Sequence, residues 1–117
     1  MREAAEARGR AAETLGMAVL AADGFMLLAN RARTPAGEID LVVARDGLLV
    51  FVEVKARATL NEAAFALGPR QQARLMAAAE CWMAENPGHG EAGVRFDVLL
   101  VDAAGLVRRI ADAFRQS

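Results

Sequence analysis

Two β-rich runs of apolar residues lie at the centre of the chain, at 38–45 and 48–55. The Asp46-Gly47 pair between them is a strong signal for a two-residue hairpin turn. In both runs, apolar side chains occupy odd and even positions alike, so each strand has apolar residues on both of its faces. This pattern is typical of strands that are covered on both sides. The pattern therefore predicts a hairpin within a buried sheet.

Segments with helical spacing flank this hairpin. Residues 3–22 are rich in Ala, Glu and Arg and predict a helix, and Pro69 can open a second helix that continues to about residue 85. Residues 58–68 carry no clear structural signal. Three further strands are predicted at 25–32, 94–101 and 106–110. The order helix, three strands, helix, two strands predicts the α/β class, with a mixed five-stranded sheet and helices packed on it.

Length and composition narrow the class of protein. The 117 residues suffice for one domain, so we expect a single domain over residues 1–117. The lone Cys81 cannot form an internal disulfide, and no apolar run reaches the roughly 18 residues of a membrane span. Acidic residues near the N-terminus are not typical of a signal peptide. We therefore expect a cytoplasmic protein that has no membrane partner.

Charge gives a mixed indication of nucleic-acid binding. The net charge is −1, whereas nucleic-acid-binding domains are usually basic. Cations nevertheless concentrate between residues 31 and 74, among them Arg31, Arg33, Lys55, Arg57, Arg70 and Arg74. Of the 14 basic residues, all but Lys55 are arginine, and lysine is the cation whose pKa shifts more readily on burial.

The hairpin turn predicts a carboxylate pair. Its register places Asp40 opposite Glu53 and Glu38 opposite Lys55, with all four side chains on one face. Two like charges across a sheet are destabilising, and burial penalises each charge further. A divalent cation would compensate, because Mg²⁺ is commonly held by one or two carboxylates. The pattern thus predicts a metal site.

In that site Asp40, Glu53 and the backbone carbonyl of Val54 would be metal ligands, and Lys55 would orient a water or stabilise negative charge on phosphorus. The alternative is an exposed cluster at a strand end, in which Lys55 neutralises Glu38 across the strands.

Two segments resemble a known nuclease motif, PD-(D/E)xK. They are Gly-Glu-Ile-Asp-Leu at 37–41 and Phe-Val-Glu-Val-Lys-Ala-Arg at 51–57, with Asp40, Glu53 and Lys55 at the motif positions. Over nearly its whole length the chain is similar to the YraN-like family of uncharacterised bacterial proteins. Further matches lie at Gly9, Glu13, Gly24-Phe25, Asn30, Arg33, 69–75, 95–97 and 113–114.

That family looks like the archaeal Holliday-junction resolvases, which implies a restriction-endonuclease-like core. The resemblance also implies Mg²⁺ or Mn²⁺ as cofactor, DNA as partner, and a homodimer. Glu13 matches a helix glutamate that joins the metal site in those enzymes. The residues that would contact DNA phosphates are Arg33, Arg57, Arg70, Gln72 and Arg74.

Two functions follow from these observations. The first is a metal-dependent DNA endonuclease, acting on branched or otherwise structured DNA. The second is a non-catalytic nucleic-acid-binding or protein-interaction module that retains the nuclease fold. The acidic pI of about 5.8 favours the second function, as do two departures from the family pattern, at Ala56 and Gln71.

Overall fold

The computed structural model describes residues 2–64 and 66–115. Within them the chain forms α1 (Arg2–Ala22), β1 (Met26–Thr34), β2 (Gly37–Arg45), β3 (Leu48–Ala56), α2 (Leu60–Ala64), α3 (Pro69–Glu85), β4 (Gly93–Val101) and β5 (Val107–Ile110). The strands make one sheet in the order β1-β2-β3-β4-β5. β3 and β4 run parallel, and the other neighbouring pairs run antiparallel. The predicted mixed five-stranded α/β sheet is confirmed.

Helices cover both faces of the sheet. On one face Leu20 of α1 packs against Leu41 and Val52. Gly16 brings α1 close to the strands, because a Cβ atom there would lie 2.8 Å from the Leu99 side chain. α1 therefore occupies one whole layer of the fold.

The opposite face is covered by α3 and α2, which together connect the parallel strands β3 and β4. Trp82 of α3 packs edge-on against Phe51, with the ring centroids 5.8 Å apart. No helix within residues 2–64 and 66–115 is both long and apolar enough to cross a membrane.

α2 lies where the sequence predicted no structure. Thr59 caps its first turn by accepting a hydrogen bond of 3.1 Å from the backbone N–H of Glu62. Ala63 is fully buried against Val98 and Leu100 of β4. Five residues are too few for a helical repeat to show in the sequence, so only packing on β4 identifies this helix.

The predicted register of the central hairpin is confirmed near its turn. The ladder between β2 and β3 runs from the pair Arg45–Leu48 to the pair Leu41–Val52. Beyond it β2 stays paired with β1, and β3 stays paired with β4 as far as Ala56. The two central strands therefore separate at the end of the hairpin that is far from the turn.

This separation corrects one sequence prediction. The direct backbone pairs Asp40–Glu53 and Glu38–Lys55 are not formed, because the ladder has ended before them. Side-chain packing changes at the same place: Ile39 packs with the α3 cluster, whereas Leu41 packs under α1. The carboxylates of the predicted site thus lie where the two strands separate and not across a regular ladder.

Candidate active site

Glu53 and Lys55 project from β3 as a largely buried ion pair. The Lys55 Nζ atom lies 3.3 Å from Glu53 Oε1, and the two side chains are 13% and 8% exposed. Lys55 thus pairs with Glu53 on its own strand, and not with Glu38 as the surface-cluster alternative supposed. The only lysine of the chain therefore partly neutralises one of the predicted metal ligands.

Asp40 occupies the point where β2 and β3 separate. Its Oδ2 atom accepts a hydrogen bond of 2.8 Å from the backbone N–H of Val54. Burial, together with the negative charges of Glu53 and Glu13, raises the pKa of Asp40 from 3.8 to about 7. The Val54 N–H and the charge of Lys55 lower the pKa but do not outweigh those effects. The negative charge of an ionised Asp40 is therefore only partly neutralised by its surroundings.

Glu13 reaches this region from α1. Its Oε1 atom accepts a hydrogen bond of 2.9 Å from Arg31 Nε, and its side chain is 14% exposed. The hydrogen bond and the charge of Glu13 raise the pKa of Arg31, and the charges of Glu38 and Asp40 add to that effect. The structure thus brings Glu13 into the electrostatic environment of the Asp40 carboxyl.

Arg31 is the residue that sequence reasoning missed. It lies on β1 between the register pairs Asn30–Leu41 and Ala32–Ile39, and so stands across from Asp40. The signal was present in the sequence, because a tight turn at 34–37 between β1 and β2 implies this opposition. In the sequence Arg31 stands out only as one of several basic residues between positions 31 and 74.

Binding of Mg²⁺ or Mn²⁺ to this cluster stays a prediction. Asp40 and Glu53 offer carboxylate oxygens, and Mg²⁺ is commonly held by one or two carboxylates that are completed by water and substrate oxygens. Within the described ranges no group of three or more His, Cys, Asp or Glu side chains is arranged to hold a metal. The role of the Val54 carbonyl as a ligand stays a prediction.

The predicted phosphate contacts differ in their surroundings. Arg33, Arg70 and Arg74 are exposed, and no ion pair joins them to an acidic residue in the part of the chain that the structure describes. The Arg74 side chain passes over Gly37, where a Cβ atom would lie 3.2 Å from it. Arg74 therefore approaches the first residue of β2 from α3, and its guanidinium remains available to a ligand.

Arg57 and Gln72 are less available to a ligand than these three arginines, because Arg57 has a hydrogen-bond partner and Gln72 is half-buried. Arg57 Nη1 donates a hydrogen bond of 2.7 Å to the backbone carbonyl of Ala56. Gln72 is half-buried and lines a pocket of about 150 Å³ beside Val98 and Leu100. These two β4 residues pair in register with Glu53 and Lys55. Contact of either residue with DNA stays a prediction.

Comparison with known proteins identifies the family. Residues 12–101 match the profile described as "Uncharacterised protein family UPF0102". A UPF0102 protein of Granulibacter bethesdensis is 58% identical over 107 residues, which cover 92% of this chain and 68% of that protein. One from Bradyrhizobium sp. strain ORS 278 is 48% identical over 116 residues, which cover 99% of this chain and 82% of the relative. One from Rhodopseudomonas palustris strain BisB5 is 50% identical over 116 residues, with 99% and 88% covered. The chain therefore belongs to the uncharacterised protein family UPF0102, the YraN-like family that its sequence resembles.

Proposed function

We propose that this protein is a divalent-metal-dependent endonuclease that hydrolyses phosphodiester bonds in DNA, with branched or otherwise structured DNA as its substrate. The observation that carries the proposal is the state of Asp40. Among the residues that the structure describes, its carboxyl accepts a hydrogen bond only from the Val54 N–H. Burial and the charges of Glu53 and Glu13 raise its pKa to about 7. A carboxylate with a purely structural role would be expected to have a paired cation.

Each residue of the cluster has a place in this proposal. Asp40 and Glu53, with the Val54 carbonyl, would hold Mg²⁺ or Mn²⁺, which would polarise the scissile phosphodiester. Lys55, whose Nζ atom lies 3.3 Å from Glu53, would orient the attacking water or stabilise negative charge on phosphorus. Glu13 would complete the cluster from α1. In-line attack of the water at phosphorus would break the P–O3′ bond, leaving a 5′-phosphate on one fragment and a 3′-hydroxyl on the other.

The topology supports a restriction-endonuclease-like core. The motif residues lie on the second and third strands, where these strands separate, and the helix α1 that precedes them supplies a third carboxylate. The parallel crossover from β3 to β4 then places α3, with its exposed basic side chains, beside the same strands. This is the arrangement that the resemblance to the PD-(D/E)xK nucleases implies.

Unpaired arginines support DNA as the substrate. Arg33, Arg70 and Arg74 are exposed and, among residues 2–64 and 66–115, have no acidic partner. Guanidinium groups bind phosphate well, and such contacts position a nucleic acid without reading its sequence. We therefore expect a binding affinity that depends steeply on salt and weakly on base sequence.

A second candidate function is a non-catalytic nucleic-acid-binding or protein-interaction module. The observation in its favour is that two of the three carboxylates already have protein cations, Glu53 with Lys55 and Glu13 with Arg31. Such a module needs no metal ion. Metal dependence therefore separates the two candidates.

The test is cleavage of labelled linear, flapped and four-way DNA in the presence of Mg²⁺ or Mn²⁺. We expect the wild type to cleave at least one of these substrates, and Asp40→Asn and Glu53→Gln to lower the rate by about 100-fold or more. Lys55→Ala should also lose activity. Glu85→Gln, an exposed carboxylate at the far end of α3, is the matched control and should cleave normally.

The proposal fails if the wild type cleaves none of these substrates, or if Asp40→Asn and Glu53→Gln cleave as well as the control. Salt-dependent DNA binding that needs no divalent cation would then favour the non-catalytic module.

A further inference from the structure

Arg31 adopts an unusual backbone conformation next to the carboxylate cluster. Its φ of 50° lies in the left-handed region, which L residues other than Asn and Asp seldom enter. β1 is irregular nearby, with a register shift between Leu27 and Ala29. Because this backbone conformation does not require an arginine, the reason for an arginine at position 31 must lie in the contacts of its side chain.

The side chain of Arg31 spans from the sheet edge to a buried carboxylate. Its Nε atom donates to Glu13 Oε1 at 2.9 Å, and it is 42% exposed whereas Glu13 is only 14% exposed. Arg31 also feels the charges of Glu38 and Asp40, on the facing strand. A single guanidinium at the rim therefore supplies positive charge to a cluster whose other cation, Lys55, is held by Glu53.

We infer that Arg31 is the resident counter-cation of this cluster and competes with a divalent cation for Glu13. This inference rests on the proposed function, because it assumes that Asp40 and Glu53 receive Mg²⁺ or Mn²⁺. In this arrangement Glu13 joins a bound cation only when the guanidinium moves away. The exposure of Arg31 permits that movement, since 42% of its side chain is accessible to solvent.

The inference differs from a merely structural role, in which Arg31 joins α1 to β1. A structural ion pair would orient Glu13 for the metal, so its removal would weaken cation binding or leave it unchanged. A competing cation has the opposite effect, because its removal lowers the electrostatic repulsion of an incoming divalent ion. The sign of the change in affinity therefore separates the two roles.

The experiment measures Mn²⁺ binding to the full chain by calorimetry and by electron paramagnetic resonance. Arg31→Asn removes the charge with a residue that suits the left-handed backbone, so we expect it to fold. Its Mn²⁺ dissociation constant should fall about tenfold, whereas Arg31→Lys should stay near wild type because the charge remains. Arg108→Asn, which removes an exposed arginine from β5, is the control and should not change the affinity.

A double-mutant cycle with Glu13→Gln tests the competition directly. In the Glu13→Gln background Arg31→Asn should tighten Mn²⁺ binding less than it does in the wild type, because the carboxylate for which the two cations compete is gone. An equal gain in both backgrounds would overturn the assignment of Glu13 as the contested ligand.

The possible failures are distinguishable. If the wild type binds Mn²⁺ and Arg31→Asn binds it equally or more weakly, the role of Arg31 is wrong and the metal site stands. If Mn²⁺ binds to neither the wild type nor Arg31→Asn, the metal site fails, and the inference fails with it. Should Arg31→Asn not fold, equal affinities of the wild type and Arg31→Gln would overturn the inference in the same way.

Discussion

Two aspartates lie inside this protein, and their surroundings differ. Asp97 on β4 is fully buried and accepts two hydrogen bonds of 2.8 Å from Arg95 and one of 2.9 Å from the Asp112 N–H. Asp40 on β2 accepts a single backbone N–H and has carboxylates as neighbours. The comparison shows one carboxylate whose charge an arginine balances, and a second that lies near other carboxylates and whose pKa is raised by them and by burial.

The difference begins in the strands themselves. Arg95 precedes Asp97 by two residues, so both side chains emerge on the same face and form a bidentate pair. The residue two positions before Asp40 is Glu38, another acid. β4 therefore carries its own neutralising charge, whereas β2 depends on Lys55, Arg31 or a bound cation from elsewhere.

The largest predicted effect concerns the pH dependence of stability. Because Asp40 keeps its proton in the folded state up to about pH 7, the folded state binds more protons than the unfolded one, and stability falls as pH rises from about 4 to about 7. A pKa difference of about three corresponds to about 4 kcal/mol. Asp40→Asn should thus match the wild type at pH 4 and exceed it in unfolding free energy by about that amount at pH 8.

Urea unfolding of metal-free protein across this pH range measures the effect. Glu85→Gln should follow the wild-type curve, because Glu85 is exposed. If Asp40→Asn is no more stable than the wild type at pH 8, the Asp40 carboxyl has enough positive charge after all, and the contrast with Asp97 disappears.

The second largest predicted effect is a loss of stability on substitution of Asp97. Asp97→Asn leaves the Arg95 guanidinium, which is 22% exposed, without its partner charge, and we expect a loss of roughly 3 kcal/mol in unfolding free energy. Asp46→Asn is the matched control: Asp46 is exposed with a positive φ, which Asn tolerates. Urea unfolding at pH 7 gives both values. Equal stability of the two variants would show that the Arg95–Asp97 pair does not anchor β4.

The smallest effect is stabilisation by metal. Mg²⁺ or Mn²⁺ at ten times its dissociation constant should stabilise the wild type by about 1.4 kcal/mol, and more at pH 8 than at pH 5.5 because protons compete for Asp40. Asp97→Asn should keep this gain and Asp40→Asn should lose most of it. Thermal unfolding with and without the metal measures it; an equal gain in both variants would place the cation elsewhere.

The part of the candidate site that lies on the central hairpin could be predicted from the sequence, because its residues are close together along the chain. The hairpin at Asp46-Gly47 set the register of β2 and β3 and brought Asp40 near Glu53. The direct opposition of these two residues was wrong, because the sequence does not show where a ladder ends. The turn at 34–37 could have placed Arg31 across from Asp40, but its contact with Glu13, 18 residues away on α1, could not be predicted from the strands.

Sequence alone determined the order of the elements, apart from α2, and the register of the central hairpin near its turn. It also identified the family and the residue types of the carboxylate cluster. The elements and the register depend on side-chain periodicity and turn chemistry, which act over a few residues, whereas the family follows from similarity over most of the chain. Tertiary structure alone decided where β2 and β3 separate, that Lys55 neutralises Glu53, and that Arg31 holds Glu13. Those outcomes depend on burial and on charges from three different elements, which meet only when α1 packs on the sheet.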